Sequence, residues 1–246
     1  MNFFTELGRF LLLLKGMFSR PENGRVYWKE LMHQCSEIGI GSLGIVAIIS
    51  FFMGAVSTLQ TAYQLVSPVI PKSTIAQIVR DTMILEFAPT LICVVLAGVV
   101  GSKIASELGN MRVSEQIDAL EIMGINTKAY LVMPKILAAM IVIPLLVVIA
   151  AGLGIYGGRV AGSASGILAA NVYDKGLHEN FVPYNVFFAL TKAYTFAFLL
   201  SSIPAYYGYY VQGGALEIGR ASTKAVVVSC VAILFADYIL AALLLK

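Results

Sequence analysis

The stretch SELGNMRVSEQIDALEIMG, residues 106–124, sets Glu107, Arg112, Glu115, Asp118 and Glu121 in a chain that is 59% hydrophobic and only 13% charged. Clustered carboxylates can work as acid–base catalysts or present a charged face to a partner. Catalysis needs a partner group at hand, and no Ser-His-Asp or paired-carboxylate constellation accompanies the strip. His33 and His178 are isolated, with no H-E-x-x-H, and read as interfacial polar residues. Cys35, Cys93 and Cys230 lie far apart without a C-x-x-C, which reads as small buried hydrophobes rather than a disulfide framework or zinc site. GIGSLG (39–44) and GLGIYG (152–157) match G-x-G-x-x-G, but both sit in apolar runs and neither follows a strand. No G-x-x-x-x-G-K-[ST] occurs, so any ATP must be hydrolysed by another chain. The chain is therefore not expected to be an enzyme or to hold a metal or cofactor. A net charge of +3, with Lys and Arg dispersed, gives no basic cluster for nucleic acid.

Three more ionisable residues, Glu86, Lys192 and Asp237, stand inside long apolar runs. Mean hydropathy is +0.83, whereas a soluble domain is about a quarter charged. Ile38 to Pro71 and Ile136 to Gly158 hold no charge; the runs from Thr82 to Ser102, Pro183 to Tyr207 and Ala225 to Leu245 hold Glu86, Lys192 and Asp237 respectively. About 20 apolar residues cross a bilayer. The fold class is thus an all-α polytopic membrane protein with five transmembrane helices, spanning 38–246, preceded by interfacial or elbow helices over 1–37. Phe3, Phe4, Leu7, Phe10, Leu11, Leu14 and Phe18 recur at helical spacing, with Glu6, Arg9 and Lys15 off that stripe, as in an amphipathic helix lying in a membrane surface. Pro21 should end it, and Tyr27 and Trp28 suit the headgroup level. The segment lacks the basic n-region and small-residue cleavage site of a signal peptide.

Five spans put the two termini on opposite sides. With the N-terminus cytoplasmic, the inner segments carry Arg9, Lys15, Arg20, Arg25, Lys29, Lys103, Arg112, Lys128, Lys135, Arg220 and Lys224. The outer ones carry Lys72, Arg80, Arg159, Lys175 and Lys246. The positive-inside rule favours this orientation, with the strip cytoplasmic and the C-terminus outside. Ser114 is a suitable N-cap and Gly124 a suitable C′ residue. Between them Glu115, Asp118 and Glu121 share one side of a short helix, and Ile117, Leu120 and Met123 lie roughly opposite. Two readings stand: a solvated loop helix, or a coupling helix over about 107–124 that docks on a cytoplasmic motor.

Ionisable residues within spans are costly and are functional candidates. Counted inward at 1.5 Å per residue, Asp237 lies ~18 Å and Lys192 ~14 Å from opposite faces, depths that nearly coincide. The two are predicted to pair between the fourth and fifth spans, as a polar hinge or gate or as a structural pin. Glu86 counts out ~26 Å from Lys103, near the outer end of its helix, where Pro89 loosens the backbone. There it could line an exit for a headgroup, pair with Arg80 or sit in interfacial water. Gly154, Gly158, Gly162 and Gly166 repeat every four residues, a small-residue ladder for close helix packing.

ASELGNMRVSEQIDALEIMGI closely resembles the signature of the MlaE-type permease family, which reads approximately A-E-L-G-x-M-R-V-T-E-Q-I-D-A-L. EFAPTL, YLVMPKILA and GRASTKAVVVS extend the resemblance from about Glu37 to the end. Ser106 and Ser114 depart mildly from its Ala and Thr, and Val99 stands where the family often has a basic residue after Gly98. The resemblance implies an ABC-exporter-like homodimer in a bacterial inner membrane. Its expected partners are an ABC ATPase subunit (MlaF-like), which binds ATP and Mg, a periplasmic MCE-domain protein (MlaD-like) and a small STAS-type cytoplasmic subunit. The expected function is phospholipid transport between the inner membrane and the MCE protein, maintaining outer-membrane lipid asymmetry. Glu107, Met111, Arg112, Glu115, Gln116 and Asp118 inherit the family's ATPase contact. Phe51, Phe52, Met53, Leu59 and Tyr63 are candidates for the wall of a lipid cavity at the dimer interface. An ion-coupled secondary transporter is the competing class, although no repeated halves are seen; a non-transporting membrane scaffold is the other.

Overall fold

A computed structural model describes residues 3–17, 24–65 and 71–244. Every regular element among them is helical. The elements are α1 (Phe3–Met17), α2 (Gly24–Gln64), α3 (Ser73–Val113), α4 (Gln116–Ile122), α5 (Lys128–Ala164), α6 (Ala170–His178), α7 (Tyr184–Tyr209) and α8 (Ala215–Leu244). Five of these, α2, α3, α5, α7 and α8, are long and apolar enough to cross a membrane, which fits a multi-pass membrane protein. The helix α2 runs without a break through position 38, where the apolar run begins, and α1 is a separate helix before it. Phe18 and Pro21 lie outside the described residues.

Two compact units divide the chain. The first comprises Met1–Ser42, Val94–Val142 and Phe196–Ala236. In it α1 buries Leu13 and Met17 and sets Phe10 edge-on to Tyr206 at 5.9 Å, while Leu7, Leu11 and Leu12 remain exposed. The side of α1 packed on the protein is thus Phe10, Leu13 and Met17, and Leu7 and Leu11 of the apolar stripe face out. Glycines allow α3 and α7 to touch, since a Cβ on Gly208 would meet the Ala105 backbone and one on Gly101 would crowd Pro204. Ion pairs Lys103–Glu37 and Lys135–Glu107 add polar ties, the latter at 2.7 Å around a Lys135 side chain that is buried.

The second unit comprises Leu43–Cys93, Ile143–Thr195 and Asp237–Lys246. Its core joins Ile75, Ala76, Val79 and Met83 of α3 to Leu168 and Tyr173. Burial pushes the Tyr173 hydroxyl up to about 12. Three positions of the glycine ladder behave as expected: a Cβ on Gly154 would strike Met83, one on Gly158 would strike Thr58 and Tyr173, and one on Gly162 would lie against Leu168 and Thr58. Gly166 does not belong to it. It lies beyond the end of α5 with φ +68°, a turn conformation that glycine adopts without steric cost, and no atom would meet its Cβ. Gly54 completes the seam from α2, where any side chain would run into the Gly154 backbone. Arg80, 3% exposed, caps the end of α6: its Nη1 donates to the carbonyls of Leu177 (2.7 Å) and Glu179 (2.8 Å) and its Nη2 to that of Asn180 (3.3 Å).

Candidate functional site

The charged strip lies in the first unit and is not one helix. α3 ends at Val113, Ser114 and Glu115 turn the chain, and α4 follows. Ser114 is not the N-cap. Its hydroxyl donates back to the Asn110 carbonyl at 2.7 Å, as serines near helix ends do, so it terminates α3 instead. The N-cap is Glu115, in the left-handed region at φ 59° and without a side-chain cap bond. A left-handed non-glycine residue costs on the order of 1–3 kcal/mol and persists only where its surroundings hold it. Gly124 does end the helix. At φ +82° it donates to Glu121 O (3.0 Å) while Ile125 donates to Leu120 O (3.1 Å), the paired bonds of a Schellman stop.

What holds α4 is a set of polar contacts within the same unit. Arg112 pairs with Asp118 at 2.6 Å and lies 6.0 Å over the Tyr209 ring. The Tyr209 hydroxyl donates to Glu121 Oε1 at 2.9 Å, and Thr127 Oγ1 donates to the same oxygen at 3.1 Å. Ile117 is fully buried beneath them. Two of the three acids on the expected outward side are therefore spent within the chain. Glu115 has no ion pair among the described residues and is exposed, as is Gln116. The apolar side also differs from expectation. Met123 does not share the burial of Ile117, because α4 stops at Ile122 and the chain turns: Ile122 is 88% and Met123 67% exposed. Glu107 reaches back to Lys135, and Met111 is half-buried. Val99 lines a cavity of about 100 Å³ beside Glu37, Lys103 and Glu107. Tyr209, Thr127 and Lys135 were not singled out by sequence. The AYYGYY run (205–210) on the same predicted side as the strip was the available signal.

The second candidate lies wholly in the other unit. Lys192, fully buried, points its ammonium at Asp237 Oδ1 (2.6 Å), Glu86 Oε1 (2.9 Å) and the Leu85 carbonyl (3.0 Å). It donates hydrogen bonds to Glu86 and to the Leu85 carbonyl and stands in ion-pair contact with Asp237. The Leu85 carbonyl sits at a break in the α-helical pattern that is written in the sequence. In α-helical register its donor is residue 89, which is Pro and has none. The helix relaxes there into π-helical turns over Met83–Leu91, a local widening frequent at functional sites. Thr90 Oγ1 stands 3.2 Å from Asp237 Oδ1 and 3.3 Å from Glu86 Oε2, and its single proton can serve either. The Phe188 ring lies 4.8 Å from the ammonium, on its open side.

The predicted Lys192–Asp237 pair is present, and Glu86 is its third member. Glu86 does not pair with Arg80, which is held by Asp81 at 2.9 Å and by the α6 carbonyls. Glu86 is not near the outer end of its helix as expected, because α3 extends outward past it to Ser73. In the same unit α2 exposes Phe52, Val56, Leu59 and Tyr63, one stripe at helical spacing. Phe51 turns the other way, onto Tyr156 at 6.4 Å, and Met53 is half-buried.

Residues 31–243 match the family model described as Permease MlaE. A "Probable ABC transporter permease protein" of Rickettsia bellii is 36% identical over 98% of this chain and 93% of its own length. The "Intermembrane phospholipid transport system permease protein MlaE" of Haemophilus influenzae is 27% identical over 99% of this chain and 93% of its own. The Arabidopsis thaliana "Protein TRIGALACTOSYLDIACYLGLYCEROL 1, chloroplastic" is 30% identical over 88% of this chain and 62% of its own. Matched along nearly its whole length, with strip and apolar spans alike inside the match, this chain belongs to the MlaE permease family.

Proposed function

We propose that the chain is the permease subunit of an ATP-binding cassette transporter that moves phospholipid between the membrane it spans and a periplasmic MCE-domain protein. The observation that carries this reading is the asymmetry of α4. Its middle is fixed by Arg112–Asp118 and by Glu121 with Tyr209 and Thr127, while its N-terminal end leaves Glu115 and Gln116 uncovered and its C-terminal end leaves Ile122 and Met123 uncovered. A helix held at its middle, with a bare acidic end and a bare apolar end, is suited to transmit the motion of a docked ATPase. Relatives named as ABC transporter permeases and as an intermembrane phospholipid transport permease support the same class.

In this reading Glu115 and Gln116 contact the ATPase directly. Arg112, Asp118 and Glu107 shape the lever, and Met111 packs beneath it. ATP and Mg are bound and hydrolysed on the partner, and this chain catalyses nothing. The strip faces the cytoplasm and the C-terminus the periplasm of a bacterial inner membrane. Two copies enclose the lipid path, with Phe52, Leu59 and Tyr63 of α2 toward it, and a STAS-type subunit completes the cytoplasmic side. Acyl tails need only apolar walls, and the Lys192–Glu86–Asp237 cluster serves as a polar pin about which the helices move.

Co-purification tests the reading. The ATPase should be recovered with the wild-type chain and lost with Glu115→Arg, while the variant keeps its helicity and detergent elution position. Substrate flux in vesicles that proceeds without ATP would replace this reading with an ion-coupled carrier built on the Lys192 cluster.

A further inference from the structure

The middle of α4 is tied to α7, but its C-terminal end leads into a junction with α1 and α5, all within the first unit. Gly124 and Ile125 close α4, and the next residue, Asn126, uses both ends of its side-chain amide. Its Oδ1 accepts from the Ala129 N–H at 3.4 Å, which fixes the first turn of α5. Its Nδ2 donates to the Gly16 carbonyl at 3.3 Å, 110 residues away in the chain. The last four carbonyls of a helix have no partner inside it. Gly16 is in the last turn of α1, so Asn126 gives its carbonyl a donor that α1 itself lacks. Thr127, the following residue, holds Glu121 of α4.

Glycine is a poor helix former, and packing accounts for it at position 16. A Cβ there would come within 2.7 Å of Lys128 Cδ, so the bare backbone lets the Lys128 stem lie across the end of α1. Elsewhere α1 is fastened to the same unit by Leu13 and Met17, both buried, and by Phe10 against Tyr206. The helix is a fixed support, and residues 126–128 are where the chain leaving α4 meets it. At the entry of α4, by contrast, Glu115 and Gln116 are exposed. A short helix gripped at its middle and its exit, and open at its entry, can tilt about the grip but cannot slide along it.

We propose that Asn126 is a positioning residue for α4, a clamp that fixes the exit of this helix to α1. A push on Glu115 and Gln116 then tilts α4 and passes into α5 instead of being absorbed in the loop. The proposal rests on the reading of α4 as an ATPase lever, while the clamp is a property of this chain alone.

Amide exchange on the full-length chain in nanodiscs tests the clamp. Asn126→Asp keeps the acceptor for Ala129 and removes the donor to Gly16. Exchange over 116–122 and 9–17 should quicken about fivefold, the loss of one ordinary hydrogen bond, while that over 127–131 and α7 stays at the wild-type rate. Asn126→Ala, which also abandons Ala129, should quicken 127–131 as well. If only Asn126→Ala quickened 116–122, the cap on α5 would be what holds α4, and the role of α1 would be overturned. With the ATPase bound, in proteoliposomes, Asn126→Asp should leave ATPase recovery and ATP hydrolysis near wild type. Phospholipid moved per ATP should fall roughly twofold or more, as when a conformational step loses its hinge. An unchanged ratio overturns the positioning role. Loss of ATPase recovery overturns it too, since Asn126 would then belong to the docking face. A wild-type chain that recovers no ATPase sinks the lever reading instead, and the exchange measurement decides the clamp by itself.

Discussion

The strip around α4 and the cluster around Lys192 use the same residue types to opposite ends. In the cluster the ammonium meets two carboxylates and a carbonyl, and the lysine is fully buried. In the strip Arg112, Asp118 and Glu121 are engaged, but Glu115 at the N-terminal end of α4 is bare and the C-terminal end exposes Ile122 and Met123. Satisfied charges in an apolar setting fix a geometry. Unsatisfied charges beside uncovered apolar side chains invite a second surface. The contrast separates what holds this chain together from what it offers to others.

Breaking the cluster gives the largest expected effect. Lys192→Met leaves the Glu86 and Asp237 carboxyls without their shared cation, and should cost about 3–5 kcal/mol, the range for removing one partner of a buried pair. Asp237→Asn should cost less, because Glu86 still holds the ammonium at 2.9 Å. Glu86→Gln should cost least of the three, since Glu86 is 45% exposed and partly solvated already. Equilibrium unfolding in mixed micelles measures the order. If Asp237→Asn proved as damaging as Lys192→Met, the cluster would be a simple pair and Glu86 a bystander.

Loosening the root of α4 comes next. Tyr209→Phe removes the hydroxyl that donates to Glu121 and contacts Thr127 at 2.7 Å. One charge-assisted hydrogen bond is worth about 1.5–3 kcal/mol, and Thr127 still serves Glu121, so the lower end is expected. The clearer sign is local. Amide exchange over 116–122 should speed up while that over α7 does not. Uniform exchange across both would mean that the tyrosine supports the unit as a whole and gives α4 no particular footing.

The sequence revealed the elements that periodicity and hydropathy govern. Five spans, the Lys192–Asp237 pair and the Gly124 stop follow from apolar run length, the cost of charge in such runs, and the freedom of glycine at positive φ. Other features depend on tertiary contacts that no local pattern records. Ser114 could cap α4 or close α3, and the choice rests on how Arg112 and Tyr209 draw the turn in. Glu121 looks like a free acid until Tyr209, nearly ninety residues on, comes beside it, while Asp118 is taken by Arg112 across the turn. Glu86 was legible as a membrane carboxylate. Its partner was not, because the count from Lys103 ends the helix near Glu86, whereas it runs outward to Ser73. Pro89 held the missing clue, since a proline leaves the carbonyl four residues earlier in search of a donor.

Asp174 supplies a smaller and sharper contrast in the same unit as Lys192. Arg159 Nε and Nη2 reach its two oxygens at 2.7 and 2.9 Å, a two-point pair as well aligned as any in the chain. Yet Arg159 is 40% and Asp174 44% exposed, where the Lys192 side chain is not exposed at all. The hydrogen bonds from Arg159, with its charge, hold the Asp174 carboxyl below the usual carboxylate range. A lowered folded-state value means that the unfolded chain takes up the proton first. The pair therefore supports the fold at any pH above the unfolded value of about 3.9, and that support fades as pH falls through the lower folded value. The wild-type melting temperature should drop on this acid side, and Asp174→Asn should flatten part of the drop while lowering the neutral-pH melting temperature only slightly. Added salt should shrink the difference between the two chains, because water and ions reach this pair. The same salt should leave the cost of Lys192→Met unchanged. Equal salt sensitivity at both sites would mean that solvent, and not burial, sets the strength of the Lys192 cluster.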